Sequence, residues 1–182
     1  MSKLKLALYW SASCGGCDVA VLDTNEKILD IAEMADIVLW PIAVDFKYHH
    51  IEAMSDGSID VCLFNGAIRN SEQASIAKLL RAKSKVMVAF GACACFGGIP
   101  GLANLTNRAE IFAEAYIEAV TNDNQGQVLP QSRTEVEEGE LELPEFWDTV
   151  LALGQVVNVE YFMPGCPPPV DLISQVVDAL AT

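Results

Sequence analysis

Short apolar runs alternate along the chain with stretches in which apolar residues recur every three or four positions. The first kind reads as strands and the second as amphipathic helices. Residues 4–10 form a first strand. Ile28, Ala32 and Ala35 then share one face of a helix over roughly 18–35. Further strands are expected at 36–43 and 59–67. Asn70 and Ser71 stand where a cap is needed for a helix with Ile76, Leu79 and Leu80 on its apolar face. A fourth strand at 85–90 runs into Gly91. Asn107, with Glu110 three residues later, opens a helix at about 107–120. A fifth strand is expected near 156–162. Pro168 and Pro169 precede a last helix that carries Val170, Ile173, Val177 and Leu180 on one side.

Strands alternating with helices imply an α/β fold with a mainly parallel sheet. Five strands wound in this way fit a flavodoxin-like, doubly wound sheet with strand order 2-1-3-4-5, in which ligands sit outside the carboxyl ends of the strands. One domain spanning 1–182 is expected. The stretch 121–148 breaks the alternation: Asn-Asp-Asn-Gln-Gly is followed by Glu135, Glu137, Glu138, Glu140, Glu142, Glu145 and Asp148. It reads as an acidic surface insertion, a solvated loop or hairpin rather than a metal site.

Composition sharpens this picture. The 182 residues are 52% apolar, with a mean hydropathy of +0.28. No run approaches the eighteen or so apolar residues of a membrane span. The apolar excess therefore belongs in a core or against a permanent partner. A formal charge of −14 with only 11 basic residues argues against nucleic acid. The first residues run directly into a strand with no secretory core and no twin arginine, so a cytoplasmic setting is expected. Six cysteines in a reducing compartment point to metal or redox chemistry rather than to structural disulfides.

The cysteines fall where an α/β sheet would use them. Cys14 and Cys17 follow the first strand, Cys93 the fourth and Cys166 the fifth, so all four emerge at one edge. Cys14-Gly15-Gly16-Cys17 taken alone suits a thioredoxin-like dithiol, half a zinc site or half a cluster site. Small residues crowd Gly91-Ala92-Cys93-Ala94-Cys95-Phe96-Gly97-Gly98, which lets backbone approach a bulky ligand. Prolines flank Cys166 in Pro164-Gly165-Cys166-Pro167-Pro168 and stiffen that loop. Structural zinc sites favour two local ligand pairs, whereas one pair and two distant single cysteines suit a 4Fe–4S cluster better.

Together, Cys-Gly-Gly-Cys, Gly-Ala-Cys-Ala-Cys-Phe-Gly-Gly-Ile-Pro-Gly and Pro-Gly-Cys-Pro-Pro resemble the motifs of the small subunit of nickel–iron hydrogenases. The resemblance runs from Leu6 to Leu180 with the motifs in that family's order. The related 20-kDa-type subunit of respiratory complex I shares the fold, but it carries adjacent cysteines in the first motif where this chain has two intervening glycines. The hydrogenase branch is thereby favoured, most closely the cytoplasmic methyl-viologen- or F420-non-reducing type.

The resemblance implies one 4Fe–4S cluster on Cys14, Cys17, Cys93 and Cys166, with Cys93 rather than its rival Cys95 as the ligand. It implies electron relay between a nickel–iron large subunit and further iron–sulfur or flavin subunits, toward a heterodisulfide-reductase-linked or other acceptor. Catalysis itself would belong to the large subunit. Longer relatives continue with additional cluster cysteines, so ligands for a single cluster are expected here.

The alternatives are a complex I-like relay subunit, an FMN-binding flavodoxin-like protein and a dithiol oxidoreductase. The last two leave the convergent cysteines unexplained, and no Ser/Thr-rich phosphate loop follows the first strand. Cys62 reads as core. His49 and His50 read as surface, and Asp18 as a helix cap or a proton carrier. Trp10 and Phe96 read as shielding or as partner contacts.

Overall fold

Leu4–Trp10 form strand β1 in the computed structural model, which describes residues 3–180 except the side chain of Leu180. Helices α1 (Gly16–Leu22) and α2 (Lys27–Met34) follow, then β2 (Ala35–Leu39), α3 (Tyr48–Glu52), β3 (Ile59–Asn65), β4 (Ile68–Asn70), α4 (Ser71–Lys83) and β5 (Ser84–Phe90). Next come α5 (Gly91–Phe96), a 3₁₀ turn (Pro100–Leu105), α6 (Arg108–Phe112) and a π-helical turn (Ala113–Glu118). Strands β6 (Arg133–Val136), β7 (Gly139–Glu142), β8 (Phe146–Leu151) and β9 (Tyr161–Met163) lead to α7 (Val170–Leu180).

Five strands form the central sheet in the order β2-β1-β3-β5-β9, every pair parallel. Counted within the sheet, this is the expected 2-1-3-4-5. Because both faces are covered, the strands read as apolar runs rather than as alternation. One face packs Ala7, Tyr9, Cys62, Phe64, Met87 and Ala89 beneath α4 and α5. The other packs Leu6, Leu8, Val61, Leu63, Val88 and Phe90 beneath α1, α2 and α7.

Several boundaries differ from the sequence expectation, each for a local reason. The single helix over 18–35 is two. Asn25 takes a left-handed φ of 55°, and the Thr24 hydroxyl donates to Val21 O, closing the first helix early. As a result Ile31 is buried, Ala32 is exposed and Ala35 already belongs to a strand. Strand β2 stops at Leu39, where Pro41 would deny the ladder a donor.

Residues 68–70 are a separate strand, because Gly66 at φ 103° turns the chain away from β3. The helix expected over 107–120 keeps its Asn107 cap, which accepts from Glu110 N, but widens to a π-helical turn after Phe112. Of the strand expected near 156–162, Tyr161 and Phe162 belong to the observed strand, which runs on to Met163; Val156, Val157 and Val159 pack on the core instead. Within 121–148, β6 and β7 form an exposed antiparallel hairpin. Phe146, Trp147 and Asp148 lie beyond that hairpin in β8, which pairs with β4; Phe146 and Trp147 are half-buried and Asp148 stays exposed.

Candidate functional site

Just past the carboxyl ends of β1, β5 and β9 lie Cys14 in the loop before α1 with Cys17 in the first turn of α1, Cys93 in α5, and Cys166 in the loop before α7. Cys17 and Cys93 are buried at the floor, while Cys14 and Cys166 stand exposed at the rim. The Ala92 N–H donates to Gly165 O at 2.7 Å and ties the start of α5 to the loop before α7. Gly16 N–H donates to the Cys14 sulfur at 3.4 Å.

Two glycines make the floor possible. Gly91 has φ 86°, and a Cβ there would lie 2.3 Å from Cys17 Sγ. Gly98 has φ 52°, and a Cβ would lie 2.8 Å from Cys93 Sγ. Both positions combine a backbone region that favours glycine with space already filled by sulfur.

The electrostatics are those of crowded thiols. Burial pushes the Cys17 thiol up to about 12, with Cys93, the Asp18 carboxylate, Cys14 and Cys166 each adding to the rise. Cys93 is raised as well, chiefly by burial; Ile99 N–H opposes the shift, while Cys166 and Cys14 add to it. The buried Cys17 and Cys93 thus each feel the other cysteines of this edge. Several thiolates can coexist here only with positive charge between them, which is what iron supplies. Glycines that leave room beside two buried sulfurs and a donor set of soft thiolates both fit an iron–sulfur cluster. Among the described residues, no three or more His, Cys, Asp or Glu side chains close around one point tightly enough to enclose a single ion.

The other candidates separate from this edge. The Cys95 thiol donates to Ala89 O at 3.3 Å within the core on the opposite face of the sheet from Cys17. Cys62 is fully buried, its thiol pushed up to about 12 by burial. His49 and His50 are exposed, and His50 Nδ1 accepts from Lys47 N. Trp10 packs against Gly15, and its indole donates to Ser13 O. Phe96 is 72% exposed beside Cys95.

Asp18 does not cap a helix. It is 1% exposed and accepts from Trp40 Nε1 at 2.8 Å and from Asn65 Nδ2 at 2.5 Å. Sequence reasoning missed this trio. Its faint signal is a polar or amphipathic residue at or just past the carboxyl end of each of two mainly apolar strands.

A doubly wound parallel sheet with four thiols gathered over its carboxyl edge defines an α/β protein with a cysteine-lined sheet edge. The chain belongs to the NADH ubiquinone oxidoreductase 20 Kd subunit family, which it matches over residues 14–180. It is 46% identical over 180 residues to an F420-non-reducing hydrogenase iron-sulfur subunit of Archaeoglobus profundus, covering 98% of this chain and 56% of that protein. Against an F420-non-reducing hydrogenase subunit of Methanothermobacter thermautotrophicus, identity is 37%, covering 99% and 54%. The chain therefore spans about half the length of these curated relatives. The delta subunit of the NAD-reducing hydrogenase of Cupriavidus necator is 28% identical, with 98% and 78% covered. Among solved structures, a chain of the NAD+-reducing [NiFe]-hydrogenase in its H2-reduced state superposes with a TM-score of 0.83 at 26% identity, covering 99% of this chain and 92% of that one.

Proposed function

We propose that this chain is the electron-relay subunit of a nickel–iron hydrogenase and holds one 4Fe–4S cluster on Cys14, Cys17, Cys93 and Cys166. The observation that carries the reading is the meeting of four thiols from three distant segments over one sheet edge, with glycine wherever a Cβ would strike sulfur. The relatives' names, all iron-sulfur or hydrogenase subunits, support it.

When bound, the cluster supplies one-electron storage at moderate potential. The chain's own residues would hold it, with the buried Cys17 and Cys93 at the floor beside the start of α5 and the exposed Cys14 and Cys166 at the rim. Cys95, bonded into the core, is not among the ligands. Phe96, Ile99, Leu102 and Leu105 expose large apolar surface at and just past the end of α5. Such surface beside a redox site suits coverage by a large hydrogenase subunit, with further iron–sulfur or flavin subunits receiving the electrons. A heterodisulfide-reductase-linked acceptor is the preferred destination. No described helix is long and apolar enough to cross a membrane. The six free cysteines support a reducing, cytoplasmic setting.

The test is metal analysis with low-temperature EPR on the complex purified anaerobically with its partners. About four irons on this chain and nickel in a partner are expected. Iron without nickel would favour the complex I-like relay that shares this family. Absence of iron would overturn the reading.

A further inference from the structure

Beneath the thiol edge lies a carboxylate that the ligand set does not use. Asp18 directly follows Cys17 in α1 and is sealed from solvent. Each of its oxygens accepts one N–H: Oδ1 from the indole of Trp40, just past β2, and Oδ2 from the amide of Asn65, at the end of β3. Both donors are neutral, and among the described residues no Lys, Arg or His forms an ion pair with it. Asn65 turns its NH₂ toward the carboxylate and leaves its own Oδ1 buried without a hydrogen-bond partner. Both Asp18 oxygens thus serve as acceptors from N–H donors, as a carboxylate's do.

We propose that Asp18 is a positioning residue with an electrostatic role: it clamps the Cys17 turn to β2 and β3, and its uncompensated negative charge holds the adjacent cluster at a more negative reduction potential. The inference rests on the cluster reading above. A negative charge in a low-dielectric interior raises the energy of adding an electron nearby. Fixed groups around a metal site tune it in the same way. The clamp and the charge are separable in this geometry. In Asp18→Asn the new carbonyl still accepts from Trp40. The new NH₂ can donate to Asn65 once that amide turns over, which gives the unpartnered Oδ1 a bond. The charge is lost while both contacts survive.

The experiment is a redox titration followed by EPR on the complex purified with its partners, for wild type, Asp18→Asn and Trp40→Phe. The signal of this chain's cluster is identified by its loss in Cys166→Ala. The expected result is full iron in Asp18→Asn with a midpoint shifted to more positive potential. Trp40→Phe removes one donor but keeps the charge, so it is expected to retain iron and shift the midpoint the other way. Full iron with an unchanged midpoint in Asp18→Asn would overturn the proposal and leave the cluster reading intact. If Asp18→Asn fails to assemble, an unshifted or positively shifted Trp40→Phe overturns it instead. A wild-type complex without iron would remove the underlying reading, an outcome distinct from the others.

Discussion

At the scale of single residues, sulfur chemistry and glycine geometry make separable statements. Under the proposed assignment, Cys14→Ala and Cys166→Ala are expected to lose the iron complement. Cys95→Ala should keep it and cost about 1 kcal/mol of core packing. Iron per chain and a denaturant midpoint decide between these outcomes. Gly91→Ala places a methyl group on Cys17 Sγ in a left-handed backbone and should destabilise by roughly 2–3 kcal/mol or prevent assembly. Gly101→Ala, with nothing within 4 Å of its Cβ position, is the control expected to stay near wild type. The cysteines could be read from the sequence because each sits just past an apolar strand, and a parallel sheet sends all such turns to one edge. Asp18 could not. Whether a carboxylate caps a helix or is buried depends on Trp40 and Asn65, residues 22 and 47 positions away that only the folded sheet brings near.

At the scale of elements, caps were the most readable features. Asn70 accepts from Gln73 N at the start of α4, so Asn70→Ala should lower stability by about 1 kcal/mol in chemical denaturation. Glu160, just ahead of β9, joins strands through Met87 N–H and Arg81. Burial pushes its carboxyl up, but those two donors outweigh burial and hold it below the ordinary carboxylate range. A lowered folded-state value means that Glu160 contributes stability above the unfolded value of about 4.3 and loses it as pH falls through the folded one. The stability gap between wild type and Glu160→Gln should therefore be full at neutral pH and close in acid, as equilibrium unfolding across pH would show. The broken helix at Asn25 and the short β9 escaped the periodicity. A side-chain bond at Thr24 ends one turn early, and the valines at 156–159 satisfy the core without pairing. Apolar content alone cannot distinguish these arrangements from a longer helix or strand.

At the scale of the whole molecule, the order of the central sheet followed from the alternation of elements, whereas the pairing of β4 with β8 did not. Ile68 and Leu151 come together only because the acidic segment loops out and returns. The β6–β7 hairpin is exposed throughout, and its Arg133–Glu142 ion pair is solvated. Replacing 133–142 by a short glycine linker should leave the thermal midpoint within a few degrees and the iron content unchanged. The apolar rim behaves differently. Phe96→Asp with Leu102→Asp should leave circular dichroism unaltered yet weaken recovery of the large subunit in pull-downs by tenfold or more, about 1.4 kcal/mol.

The position of β9 has a consequence in time. It is an edge strand of the sheet and the last of the sheet's five strands in chain order, and the loop after it carries Cys166. A growing chain can build β2, β1, β3 and β5 with three of the four thiols in place and still present an open-sided site. The edge closes only when β9 and its turn dock. A product broken off before β9 thus resembles the finished fold in its core but lacks the sulfur that completes the rim. Under the proposed assignment, the site is ready only once synthesis has passed the whole sheet.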